Sequence, residues 1–156
     1  MIEDVKKGKT PPEVEIVAKN EGVNPEKLLR LLAQGRVVIP RNARREIDPI
    51  GVGETLTTKV NLNLGSSRGV ADPDAEVEKA VVAMNAGADT VMDLSTGGDL
   101  DLIRRRVLDA VKIPVGTVPI YQAEVTGKLN SQGLFDALER QAKDGVDFVT
   151  VHVGVN

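Results

Sequence analysis

From Thr57 onward, short runs of β-branched residues alternate with amphipathic stretches of helical period, and this alternation limits the fold more than any other feature. The runs are Lys59–Leu64, Asp89–Leu94, Val115–Val118 and Asp147–Val153; the helical stretches are Ala75–Asn85, Leu100–Val111 and Leu134–Lys143, the first two with Asp74 and Asp99 as expected N-caps. Strands separated by helices cannot pair as hairpins, so the pattern predicts a parallel sheet of βα units. A weak repeat supports this. Ala86-Gly87-Ala88-Asp89-Thr90-Val91 and Asp144-Gly145-Val146-Asp147-Phe148-Val149 both set a helix-stopping glycine just before a strand. A doubly wound sheet fits the same alternation, but no Gly-x-Gly-x-x-Gly fingerprint follows the first strand. The favoured expectation is therefore the first four βα units of a parallel (TIM-type) barrel, truncated after the fourth strand, over residues 57–156. The strands at Lys59 and Asp147 would then be raw edges.

Residues 1–56 read differently, as a helical N-terminal region with one short strand. Pro11 and Pro12 open one helix, Asn24 and Pro25 cap another that runs through Gln34, and Gly35 stops it. Val37-Val38-Ile39 reads as the strand, and Pro40 to Gly53 as a polar connection. The basic group Arg41, Arg44 and Arg45 is most simply a solvated face.

Composition closes off several classes of function. The 156 residues hold no cysteine, so disulfides, thiolate zinc sites, cysteine nucleophiles and a self-held iron-sulfur cluster are excluded for this chain alone. A net charge of -3 with only Tyr121, Phe135 and Phe148 as aromatics offers neither a basic footprint nor stacking platforms for nucleic acid. No apolar run approaches the roughly 18 residues of a membrane span, and Met1 to Lys9 carry alternating charge, so the expectation is a cytoplasmic protein.

In a βα barrel the active site forms at the carboxyl ends of the strands. Residues there include Asn63 and the loop Gly65–Gly69; Met92, Asp93, Ser95 and Thr96; Pro119, Tyr121 and Gln122; and His152. Each has a plainer reading. Asn63 can bond to neighbouring backbone, Met92 can fill core, and a lone histidine in an apolar strand is usually a satisfied core group. Gly97 and Gly98 before a helix, or the Gly65–Gly69 loop with its arginine, could cradle an anion or be ordinary loops. One histidine cannot make a metal site by itself.

Four segments resemble a known family: Ala86-Gly-Ala-Asp-Thr-Val-Met-Asp-Leu-Ser-Thr-Gly97, Pro114-Val-Gly-Thr-Val-Pro-Ile-Tyr-Gln-Ala123, Lys59-Val-Asn-Leu-Asn-Leu-Gly-Ser-Ser67 and Gly145-Val-Asp-Phe-Val-Thr-Val-His-Val-Gly154. In order and spacing they are similar to the phosphomethylpyrimidine synthase family of thiamine biosynthesis. Lys7-Gly8, Pro12-Glu13 and Gly35-Arg36-Val37-Val38-Ile39-Pro40 extend the likeness to the N-terminal region. The resemblance implies a radical S-adenosylmethionine lyase with a [4Fe-4S] cluster that converts 5-aminoimidazole ribotide to 4-amino-5-hydroxymethyl-2-methylpyrimidine phosphate. It assigns Asn63, Met92, Tyr121 and His152 to substrate binding. Arg41, Asn42 and Arg45 depart from the family's Ala-Asn and histidine after the proline. The family's Ser-Arg-Gly phosphate site, Asp-Gly-Leu-Arg segment, glutamate, two histidines for zinc or iron and three-cysteine cluster motif match nothing here; Ser67-Arg68-Gly69 stands in the wrong place for the first.

The resemblance thus implies a chain holding part of a site, working as a homo-oligomer or with a companion chain. Three other expectations stay open: the related hydroxybenzimidazole synthase, a non-catalytic truncated binding or assembly module, and an unrelated metal-free lyase using Asp93 or His152.

Overall fold

A computed structural model describes residues 2–154, which divide into two compact units, residues 2–40 with 49–59 and residues 41–48 with 60–154. The first unit contains α1 (Ile2–Lys6), α2 (Pro12–Glu21), α3 (Pro25–Ala33) and the antiparallel pair β1 (Val37–Val38) and β2 (Val52–Gly53). Asn24 caps α3 by accepting from the Lys27 N–H at 3.1 Å, and Pro25 occupies the first turn, where its missing N–H costs nothing. Leu28, Leu31 and Leu32 then fall on one stripe and are buried with Val14, Val17 and Val37. Glu21 ends this unit's last segment: it accepts from the Thr57 N–H at 2.8 Å and pairs with Lys59 at 2.7 Å.

The second unit is a four-stranded parallel sheet in the order β3 (Asn61–Leu64), β4 (Thr90–Asp93), β5 (Val115–Thr117), β6 (Phe148–Val149). Its helices are α4 (Pro73–Asn85), α5 (Leu100–Ala110), α6 (Pro119–Val125) and α7 (Ser131–Asp144). Neighbouring strands are consecutive in the chain, as the alternation predicts. Leu64, Val91 and Val115 project from one face and pack with Ala80, Ala83, Ile103 and Val107 of α4 and α5 into one core.

Several details depart from expectation for local reasons. Asp72, not Asp74, caps α4, accepting from the Asp74 and Ala75 N–H groups at 2.9 and 3.3 Å, because Pro73 takes the first helical position. The fourth strand stops at Val149 instead of reaching Val153, since pairing with the neighbouring strand β5 (Val115–Thr117) covers only Phe148 and Val149, followed by one Thr150 N–H bond to the Thr117 carbonyl. The first strand begins at Asn61, with Lys59 drawn to Glu21. The helices α1 and α6 were not legible, each being short.

Of the basic group, Arg44 is exposed and Arg41 half-buried, but Arg45 is not part of a solvated face. The Arg45 side chain is 9% exposed and pairs with Asp147, whose own side chain is fully buried. Its guanidinium also donates to the carbonyls of Leu108 and Val111 at 2.7 and 2.6 Å, satisfying the end of α5. Asp147 accepts as well from the Asn42 N–H at 2.8 Å and the Val115 N–H at 2.9 Å, while the Asn42 amide donates to the carbonyls of Ala142 and Val146.

The internal repeat acquires a meaning here. Asp147 sends its N–H to the Val115 carbonyl and its carboxylate takes the Val115 N–H; Asp89 does the same to Val60, at 2.9 and 2.7 Å. In each copy the preceding glycine, Gly87 at φ 92° or Gly145 at φ 111°, turns the chain sharply out of its helix so that the aspartate enters beside the neighbouring strand.

Asp147→Ala should cost about 3–5 kcal/mol, because it strands the buried Arg45 charge. Urea denaturation measures this, and an unchanged midpoint would show that the pair is not an anchor.

Candidate functional site

Side chains in a strand alternate, so Met92 and Asp93 must face opposite ways. One face carries Asn61, Asn63, Thr90, Met92, Gly116 and Phe148, which are in register across the four strands. The other carries Leu64, Asp93, Val115 and Thr117 toward the helices. The four expected substrate residues belong with the first face and the strand ends. Asn63 is exposed and stands opposite half-buried Met92. Thr150, just beyond β6, places its hydroxyl 3.5 Å from the Met92 sulfur. Two residues further, exposed His152 stacks on Tyr121 of α6, the ring centroids 6.0 Å apart and the planes at 30°. His152 is thus not a core histidine. The structure brings Asn63 beside Met92, and Tyr121 onto His152.

Asp93, Ser95 and Gln122, expected at the same mouth, lie instead on the helix side and are buried. Asp93 accepts from both the N–H and the hydroxyl of Ser95. Beside it, Arg104 donates to Gln122 at 3.1 Å, to Asp101 at 2.5 Å and to Asp144 at 2.5 Å; Gln122 in turn donates to Asp101, and Gln141 links Gln122 to Thr117. This network bolts α6, which carries Tyr121, to α5 and α7. Sequence reading missed it, although the adjacency of Met92 and Asp93 in one strand was a sufficient signal that both could not face a ligand.

The network sets two carboxyls in opposite directions. Burial raises the pKa of Asp93 above its ordinary 3.8, and the Ser95 hydrogen bonds and the Arg104 charge offset this only in part. Burial also pushes Asp101 upward, but Arg104, Arg140 and Gln122 donate to it strongly enough to leave it below 3.8.

The two loops that could cradle an anion are filled from within. The Gly65 N–H donates to Glu76 at 2.8 Å, the Ser66 N–H to the Ser95 hydroxyl at 3.1 Å and the Ser67 N–H to the Val70 carbonyl at 2.9 Å. Gly97 lies against the Ser67 backbone, where a Cβ would come within 2.3 Å of the carbonyl oxygen, and Asp99 caps the α5 N-terminus on the Leu102 N–H at 3.0 Å. These glycines let two loops touch.

A parallel sheet of consecutive strands joined by helices, with polar, sulfur and aromatic groups beyond its strand ends, defines a protein built of βα units. The model for the Radical SAM ThiC family matches residues 1–156, and the chain belongs to that family. It is 54% identical to phosphomethylpyrimidine synthase 1 of Methanosarcina mazei, over 100% of this chain and 37% of that protein. The phosphomethylpyrimidine synthases of Archaeoglobus fulgidus and Methanopyrus kandleri are 48% and 53% identical, over 100% and 93% of this chain and 38% and 36% of their own lengths. The chain therefore spans little more than a third of these curated relatives. No helix among the described residues is long and apolar enough to cross a membrane.

The raised pKa makes Asp93 a source of stability in acid: its contribution is complete below 3.8 and is lost as pH rises through the higher folded value. Asp93→Asn should therefore gain on the parent as pH rises from 4 to 7, other carboxylates cancelling in the difference. Thermal melts of both proteins across that range check it; a constant difference contradicts the assignment.

Proposed function

We propose that this chain forms the N-terminal part of a phosphomethylpyrimidine synthase and contributes Asn63, Met92, Tyr121 and His152 to the binding of 5-aminoimidazole ribotide. Residues 1–56 serve as a helical preface, and residues 57–156 as the first βα units of a TIM-type barrel. The observation that supports this reading is that Asn63 stands beside Met92 on adjacent parallel strands, while Tyr121, in the helix after β5, stacks on His152, beyond β6. Asn63 and His152 offer hydrogen bonds to a polar ribotide, Tyr121 packs and donates, and Met92 supplies a polarisable surface for a ring. A hydroxybenzimidazole synthase sharing substrate and cofactors would use the same four residues.

The family's chemistry uses S-adenosylmethionine and a [4Fe-4S] cluster. The donor set here does not fit the cluster: the chain has no thiolate, and the described residues include no group of three histidine, cysteine or acidic side chains that could hold a metal. On this reading the cluster ligands, and those of a further zinc or iron site, come from residues other than these 156. The purified chain supplied with iron, sulfide and reductant should leave S-adenosylmethionine uncleaved; turnover would contradict this division of labour.

A second reading, an assembly module, draws on the edge strands β3 and β6, next to which Val60 and Val151 are 59% and 53% exposed. A companion chain or a second copy would cover them. A monodisperse monomer in light scattering would remove the second copy.

Isothermal titration of the chain with 5-aminoimidazole ribotide tests the first reading. Tyr121→Ala and His152→Ala should each weaken binding about tenfold or more, about 1.4 kcal/mol. Unchanged affinity in both would move the ligand elsewhere.

A further inference from the structure

Across the open face of the sheet, a short hydrogen-bonded chain runs from β4 to β3 and ends on Asn63. The Thr90 hydroxyl donates to Asn61 Oδ1 at 2.8 Å, and Asn61 Nδ2 donates to Asn63 Oδ1 at 2.9 Å. The backbone lines these groups up: Asn61 and Thr90 are partners in the parallel register, and Asn61 and Asn63, two apart on one strand, share a face. Thr90 is 6% exposed, and a hydroxyl so buried has to find a partner within the protein. It finds the Asn61 oxygen.

A primary amide has one oxygen that accepts and one NH2 group that donates. Once Thr90 engages the oxygen of Asn61, the group Asn61 turns to its other neighbour is a donor. Asn63 must answer with its own oxygen, and its NH2 group is left facing away from the strand pair. An exposed asparagine without such a neighbour could turn over and offer either end, losing affinity to the wrong orientation.

We propose that Asn61, set by Thr90, is a positioning residue that fixes the Asn63 amide with its NH2 group outward, making position 63 a hydrogen-bond donor to an acceptor atom of the ligand. The identity of that ligand, an imidazole ribotide with ring-nitrogen, ribose and phosphate acceptors, rests on the reading above; the direction of the amide rests on the hydrogen bonds alone. Asn61 itself touches no reacting atom.

The variant that separates direction from bulk is Asn61→Asp, nearly the same in shape. A carboxylate only accepts, so it would take hydrogen bonds from both Thr90 and the Asn63 NH2, turning the Asn63 oxygen outward. Side-chain amide NMR of the 15N-labelled full chain, without ligand, reads the direction first. One Asn61 amide proton should be shifted downfield and slow to exchange, both Asn63 amide protons should exchange at solvent rates, and Asn61→Asp should transfer the protection to Asn63. Protected Asn63 protons in the parent, with free ones on Asn61, would reverse the chain and overturn the proposal whatever the ligand.

Titration with 5-aminoimidazole ribotide reads the consequence. Asn61→Asp should bind about tenfold more weakly or worse with its melting temperature unchanged, and Asn61→Ala less so but with a lowered melting temperature, because the buried Thr90 hydroxyl loses its acceptor. Equal affinity of parent and Asn61→Asp would overturn the positioning role. If the parent fails to bind while its amide spectrum is as expected, the substrate assignment falls and the outward donor stands.

Discussion

The arrangement of the sheet unit depends on the fully buried carboxylate of Asp147. It is the point where three chain segments far apart in sequence meet: the loop of residues 41–48 through Asn42 and Arg45, the start of β5 through Val115, and the start of β6 through its own backbone. A buried charge is tolerated only when paired and hydrogen-bonded, and here both carboxylate oxygens accept. Arg45 carries the constraint further by closing the C-terminal carbonyls of α5, so the same pair fixes strand order and helix end. Asp89 repeats half of the device at β3, with Val60 in place of Val115, and lacks the arginine. The sheet is thus pinned at the amino ends of its strands, which leaves the carboxyl ends free to carry polar side chains.

The pinning makes the two faces chemically unlike. Toward the helices, burial and hydrogen bonding consume Asp93, Ser95, Thr117, Gln122 and Gln141 in holding α6 and α7 in place. Away from them the contacts are fewer: Asn63 accepts from Asn61, Met92 meets the Thr150 hydroxyl, and Tyr121 and His152 stack on each other. Gln122 and Tyr121 show the division most sharply: adjacent on α6, one is locked into the Arg104 network and the other stacks on His152.

The sequence by itself determined the long elements and their order, though not α1, α6 or β2. β-branched runs and helical periods are local properties, and the helix stops at Gly87 and Gly145 and the caps at Asn24 and Asp99 act within a few residues of themselves, so they can be read without knowing the fold. Only the tertiary structure decided the fate of the polar residues. Arg45 reads as solvated until Asp147, 102 positions away, is seen beside it; Asp93 reads as a rim residue until the register turns it inward; His152 reads as a strand residue until β6 is seen to end at Val149. The reason is physical. Whether a charge or an amide is free depends on which partners the fold delivers to within about 3 Å, and those partners come from segments whose separation in sequence carries no signal of their meeting.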